Sequence, residues 1–421
     1  MTAEGGSATL IVTHAGLRGR TRDGLRGPAV ENATRGLVEL LRRNGLPPTV
    51  GVARDGRPSG ERLAARVIEA AAAAGADVVD FGMVSTPAAK LAARRAGLGG
   101  AVVVTGSHLA PDWNGVKLVT APHYVPIDPR TLPSQRGDDN ASRRGHVRRD
   151  VGAARGHVAA VRAGVDAERI RASRLRVSCA GGAGPAVSTL LDELGCRGEG
   201  PGVDVGLRLD ADGDRLELVD ERGAALDCDL TLALVVLARE PRTVVKGADT
   251  SRIVDDLIAA RGGRVRAVPP GEVHLVSALL EGGGELAGEG NGGVVVPDVV
   301  LARDGLAAAA AILDLLARSG ARLSALAAEL PRYARRRSTV PTEGDEAAVA
   351  SLSGLAAELG ARLDDPRTGV AVPWTGESWG MVRQSATEPV IRVTVEARTR
   401  EAADELHRHL LEGLRAGTCA A

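Results

Sequence analysis

Short β-branched runs alternate with Ala-, Leu- and Arg-rich amphipathic stretches, and this alternation constrains the fold more than any other feature. Residues 49–52 read as a strand, 61–74 as a helix, 78–81 as a strand, 88–96 as a helix and 101–105 as a strand. Strands joined by helices of this length pair in parallel, so the pattern predicts an α/β fold on a largely parallel sheet. Ligands of such sheets bind beyond the carboxyl ends of the strands. Ser107 stands at one such end.

The rhythm breaks across residues 130–150, which are polar and charged without an apolar period, as in a loop or linker. It resumes at Arg174, and a third block starts near Asp227. After about Arg335 the pattern becomes a strand followed by a long helix, an α+β ending. Four units are predicted, over 1–145, 151–226, 227–334 and 335–421, where the 421 residues alone suggest about three.

Composition excludes several functions. Lys plus Arg and Asp plus Glu both total 53, so no net charge draws the chain to nucleic acid or an anionic membrane. Aromatics are 1% of residues, which leaves a core of Ala, Val and Leu and no base-stacking surface. Cys179, Cys196, Cys228 and Cys419 are scattered without metal or redox spacing, as expected of a reduced, cytoplasmic chain. No apolar stretch reaches membrane-spanning length, and there is no P-loop lysine.

Four short stretches carry chemistry. In Thr105-Gly106-Ser107-His108 a strand-end serine is a nucleophile if a base takes its proton, and His108 and Lys117 are the nearby proton-transfer groups. Asn114-Gly115 reads as a tight turn that brings Lys117 back to the same place. In Asp210-Ala211-Asp212-Gly213-Asp214-Arg215 three alternate carboxylates form a hard-oxygen set suited to Mg²⁺. Glu221 is twelfth from Asp210, as in an EF-hand, but the sixth position is Arg215 rather than glycine. Gly288-Glu289-Gly290-Asn291-Gly292-Gly293, with Arg303-Asp304, offers close backbone approach and hydrogen bonds for sugar hydroxyls. Arg383, Ser385, Ala386 and Thr387, with Arg392, form an arginine-and-hydroxyl phosphate cradle. Each stretch taken alone also fits a bland loop.

In this order, "GLRG" from Gly16, "RDGRPSGE" from Arg54, "TGSH…NGVKL", "DADGDR", "GEGNGG" and "RQSATEP" resemble the α-D-phosphohexomutases over nearly the whole chain. The resemblance implies three related α/β domains and a C-terminal α+β domain around a central cleft. It implies transfer of phosphate between C1 and C6 of a glucose, mannose or glucosamine phosphate, with a sugar bisphosphate as intermediate and activator. Ser107 matches the phosphoserine, and Asp210, Asp212 and Asp214, with a Ser107 oxygen, match the Mg²⁺ ligands. Arg18, His108, Lys117 and Arg215 match cleft positions near the serine. Glu289, Asn291, Arg303 and Asp304 match the sugar loop, and Arg383, Ser385, Ala386, Thr387 and Arg392 the distal phosphate site. The expected partner is a small sugar phosphate, and the expected state a monomer or homodimer.

The chain departs from the family pattern in places. The asparagine after Ser-His is replaced, giving Ser107-His108-Leu109-Ala110-Pro111, and His14-Ala15 replace the N-terminal Thr-Ser. The second unit is clipped, with only residues 197–201 between "DELGC" and "GVDVGLRLD". Pro269-Pro270-Gly271 replaces a lysine-bearing substrate loop. These departures leave two alternatives open, a mutase for an unusual sugar or cyclitol phosphate and a non-catalytic sugar-phosphate-binding relative.

Overall fold

The computed structural model describes residues 10–13, 16–22, 25, 27–133, 143–182, 184–343, 345–361, 369–373, 378–385 and 390–419. His14, Ala15, Ala386 and Thr387 lie outside the described residues. The described strands form four sheets in chain order. This is the multi-domain α/β architecture with an α+β end that the alternation predicts.

In the first sheet Thr49–Arg54, Asp77–Met83, Gly100–Val104 and Val147–Arg149 pair in parallel, while Gly16–Arg20 and Trp113–Thr120 run antiparallel on one side. Val147–Arg149 adds to the far edge, so the first unit extends past the expected limit at residue 145. Gly100–Val104 is buried along its whole length, which is why it reads as an unbroken apolar run. The helix Thr86–Arg95 starts two residues earlier than its apolar period suggests. Ser85 caps it by accepting from the Ala88 amide at 3.3 Å, and Pro87 fits its first turn.

The second sheet has three strands, with Val205–Leu209 between Val177–Gly181 and Leu216–Val219. The third places Thr243–Gly247 between Arg264–Val268 and Leu286–Gly288, with Val294–Val295 at the edge. One apolar cluster runs through both units, from Val158 to Leu330, and takes in Leu91 of the helix Thr86–Arg95. At its centre the helix Gly305–Ser319 is buried on nearly all sides, and its five consecutive alanines let neighbouring backbones approach. The fourth sheet is antiparallel throughout, in the order Ala334–Pro341, Val390–Ala397, Trp379–Gln384, Val370–Pro373. It packs against the helices Asp345–Glu358 and Arg400–Cys419. Among the described residues no helix is long and apolar enough to cross a membrane.

Candidate active site

Asn114 and Gly115 lie inside the strand Trp113–Thr120 and form no turn, contrary to the sequence expectation. Lys117 reaches the site because this strand runs antiparallel to Gly100–Val104, opposite Val103. Gly115 is required there for another reason, since a Cβ would collide with the Leu17 carbonyl oxygen of the adjoining strand. Arg18 on that strand is buried and donates to the carbonyls of Leu17 at 2.7 Å and Val116 at 3.1 Å.

Ser107 leaves the sheet with a left-handed φ of 52°, costly for a residue with a side chain. Arg57 holds this turn. Its guanidinium donates to the carbonyls of Ser107 at 2.6 Å, Leu109 at 2.7 Å, Trp113 at 2.9 Å and also Ala110. Asp55, fully buried, accepts from the Arg57 Nε at 3.1 Å and fixes the guanidinium in turn. Sequence reading quoted "RDGRPSGE" but gave Arg57 no task, because none of its carbonyl partners leaves a mark in the residue types.

The acidic loop arrives from the hairpin Val205–Leu209/Leu216–Val219. The Asp210 carboxylate accepts from the Ser107 hydroxyl at 3.5 Å, a long contact spanning 103 residues of chain. Asp212 docks at the start of the helix Thr86–Arg95, where its Oδ2 accepts from the Thr86 hydroxyl at 2.6 Å. Lys117 Nζ stands between the fully buried Asp212 and Asp214 and donates to both. Burial works against the Lys117 ammonium, but these two carboxylates outweigh it and raise the lysine's pKa. Burial would raise Asp212 too, and Lys117 and the Thr86 hydroxyl outweigh it and hold that carboxyl low. Asp210 forms no ion pair among the described residues, so burial and its two acidic neighbours outweigh the more distant Arg215 and Lys117 and push it up to about 7.

As the side chains stand, no three His, Cys, Asp or Glu groups close into a ready metal cage among the described residues. The donor set nevertheless fits a divalent cation. Asp212 Oδ1 and Asp214 Oδ1 are buried oxygens with no hydrogen-bond partner, and the position between the two carboxylates already holds one positive charge.

Arg303 joins the acidic loop to the sugar-loop residues. It donates to Asp214 Oδ2 at 3.0 Å and to Glu289 Oε2 at 2.9 Å, and stands 3.5 Å from Glu272. Glu289 also accepts from the Gly271 amide at 2.8 Å, while Asn291 accepts from the Gly293 amide at 3.0 Å. Glu272 pairs with Lys90, a buried lysine on the helix Thr86–Arg95. Sequence reading missed both, since a lysine among alanines gains meaning only from a partner 182 residues away. Asp304 is placed differently from the expectation. It is fully buried, caps the helix Gly305–Ser319 through the Leu306 and Ala307 amides, and pairs with the fully buried His157 at 2.7 Å. It holds the helix and does not face the cleft.

Arg18, Ser107, His108, Lys117, Arg215, Glu289, Asn291 and Arg303 line one cavity of about 610 Å³ together with Arg383, Ser385 and Arg392. That is room for a small polar ligand. His108 is accessible within it, but the surrounding protein, then Arg215 and Arg303, push its imidazole well below the usual pKa. Within the same lining, Arg392 Nε donates to the Ser385 hydroxyl at 3.1 Å.

Residues 9–130 match the family model for phosphoglucomutase/phosphomannomutase α/β/α domain I, 229–333 that for domain III, and 338–412 that for the C-terminal domain. A phosphoglucomutase/phosphomannomutase of Thermococcus kodakarensis is 32% identical, over 87% of this chain and 90% of that one. A phosphoglucosamine mutase of Rubrobacter xylanophilus is 30% identical, over 89% and 92%. The crystal structure of a phosphoglucomutase/phosphomannomutase family protein from Burkholderia thailandensis superposes with a TM-score of 0.78 at 26% identity, covering 96% of this chain and 97% of that one.

Proposed function

Because the chain belongs to the α-D-phosphohexomutase family, we propose that it shifts phosphate between C1 and C6 of a hexose phosphate through a phosphoserine at Ser107 and a bisphosphate intermediate. The enzyme is a mutase, an isomerase that works by phosphotransfer. One observation carries the finer reading. Ser107, which touches Asp210 of the acidic loop 103 residues away in sequence, lines one cavity together with Arg383, Ser385 and Arg392, while the three aspartates lie behind that lining. A phosphate can react at one end while another is held at the other.

The reaction needs positioning and charge screening more than covalent help. The sugar hydroxyl attacks the phosphorus of phosphoserine, its proton leaves, and the Ser107 oxygen departs. Arg18, Lys117 and Arg215 supply positive charge around the transferring group. Lys117 Nζ, kept charged by Asp212 and Asp214, can give a proton to the departing oxygen. His108, held neutral, can accept one. Asp210, Asp212 and Asp214, with a serine phosphate oxygen, would hold Mg²⁺, which when bound polarises the phosphoryl group. Glu289 and Asn291 face the sugar hydroxyls, and glucose, mannose and glucosamine phosphates are the proposed substrates.

Intact mass spectrometry tests the reading. The purified protein should gain one phosphoryl group on incubation with a hexose bisphosphate and lose it to the right hexose monophosphate. Protein that never carries phosphate on Ser107 under these conditions refutes the phosphoserine route.

A further inference from the structure

The phosphate-cradle arginine is already occupied by a carboxylate of its own chain. Asp249, in the turn after Thr243–Gly247, reaches across from the third unit to Arg383 in the fourth. Its Oδ2 accepts from Arg383 Nη2 at 3.0 Å and from Nε at 3.3 Å. These two N–H groups form one edge of the guanidinium fork, an edge that grips phosphate oxygens in pairs. Both residues line the cavity, and their side chains are 18% and 17% exposed. A phosphate bound bidentately on this edge must therefore displace Asp249.

Two further features give the carboxylate a reason to be there. Arg383 is directly opposed to Arg392 on the neighbouring strand, so it stands beside a like charge whose repulsion the Asp249 carboxylate offsets. The Asp249 backbone is held independently, since its carbonyl accepts from Arg335 Nη2 at 2.8 Å. The carboxylate can thus swing off Arg383 without the turn losing its anchor.

We propose that Asp249 is a positioning residue that takes Arg383 whenever phosphate leaves it, so that distal phosphate binding is an exchange and not an addition. This rests on the reading of Arg383 as a phosphate ligand. A bisphosphate that must turn end for end has to leave the cradle during each cycle. Without a replacement anion its departure strands a half-buried guanidinium, which slows release. Asp249 weakens phosphate binding and speeds that departure.

The test is calorimetric titration of the full-length protein with inorganic phosphate, for wild type, D249N, R383A and the double variant. D249N should bind phosphate about fivefold more tightly, the weight of one partly exposed ion pair. R383A should bind at least about tenfold more weakly, and the double variant should match R383A. In steady-state kinetics D249N should lower KM for the hexose monophosphate and also lower kcat, a split that a merely structural contact would not produce. D249S repeats the test with a shorter side chain should D249N fold poorly. Unchanged or weaker phosphate binding by the folded Asp249 variants, with R383A impaired, overturns the exchange and leaves the phosphate cradle standing. Phosphate binding by R383A equal to wild type removes the cradle reading itself, and the exchange with it.

Discussion

Arg57→Ala tests how the serine turn is held. The wild-type guanidinium serves five acceptors, the carboxylate of Asp55 and the carbonyls of Ser107, Leu109, Ala110 and Trp113. Truncation leaves the fully buried Asp55 without its ion-pair partner, although its Oδ1 still accepts from the residue 57 amide, 3.0 Å away in the wild type. Breaking one side of a buried pair costs about 3–5 kcal/mol, and the abandoned carbonyls place the loss toward the upper end. The activity loss has a different origin. Ser107 sits in a left-handed conformation that only its surroundings enforce, so the freed turn relaxes. A displacement of about 1 Å at a reacting atom costs about a hundredfold in rate.

The expected result is a urea midpoint well below wild type, and a kcat at least about a hundredfold down in conditions where the variant is still folded, with KM little changed. Arg57→Lys should recover part of the stability and little of the rate, because an ammonium has three donors and cannot reach carbonyls on both sides of the loop. Asp55→Ala combined with Arg57→Ala should cost less than the sum of the two. Wild-type stability and turnover in Arg57→Ala would show that the turn holds itself.

Ser107→Ala should fold normally and show neither phosphoryl uptake by mass spectrometry nor turnover; uptake at another residue would reassign the nucleophile. Lys117→Met leaves Asp212 and Asp214 without the cation they share, although Asp214 keeps Arg303, so kcat should fall by about two to four orders of magnitude. Added Mg²⁺ should stabilise that variant in thermal unfolding more than it stabilises wild type, where the lysine competes; equal shifts would argue against a shared position. Chelation of divalent cations should abolish turnover, and Mg²⁺ should restore it, as followed in a coupled sugar-phosphate assay. Asp304→Ala removes a helix cap and the partner of a buried His157, a loss of about 2–4 kcal/mol; a kcat that falls as far as that of Arg57→Ala at full folding would contradict its placement away from the cleft.

The parts of the site that could be read from sequence are those whose chemistry sits within a few consecutive residues. Ser107, the three aspartates and Glu289 stand out because the nucleophile, cation site and sugar contact proposed for them need unusual residue types at fixed spacing. The strands around them were legible for a similar reason, since a fully buried strand such as Gly100–Val104 has to be apolar throughout. Lys90, Glu272 and Asp249 were not legible, because each is defined by a partner in another unit. Asn114-Gly115 was misread because Asn-Gly most often marks a turn. Here the glycine answers to the backbone of an adjoining strand, and the Asn114 amide donates to the Ser59 hydroxyl at 2.8 Å. Asp304 was misread because its local pattern is equally that of a cap and of a cleft residue.

On the proposed function, the cleft's charges account for how one cavity binds dianions at both ends and still releases them. Lys117 is matched by Asp212 and Asp214, Arg303 by Asp214, Glu289 and Glu272, Lys90 by Glu272, and Arg383 by Asp249. A cavity of bare cations would hold a bisphosphate too tightly to let it reorient, because unpaired buried charge resists being uncovered. A cavity in which each of these cations carries its own carboxylate attracts phosphate less strongly when it arrives, and leaves no cation uncovered when it departs. The partners come from different units, with Lys90 from the first, Asp212 and Asp214 from the second, Glu272 and Asp249 from the third and Arg383 from the fourth. Exchange of partners at either end is then also a rearrangement of contacts between units, and the same ion pairs that assemble the cleft set how firmly it grips.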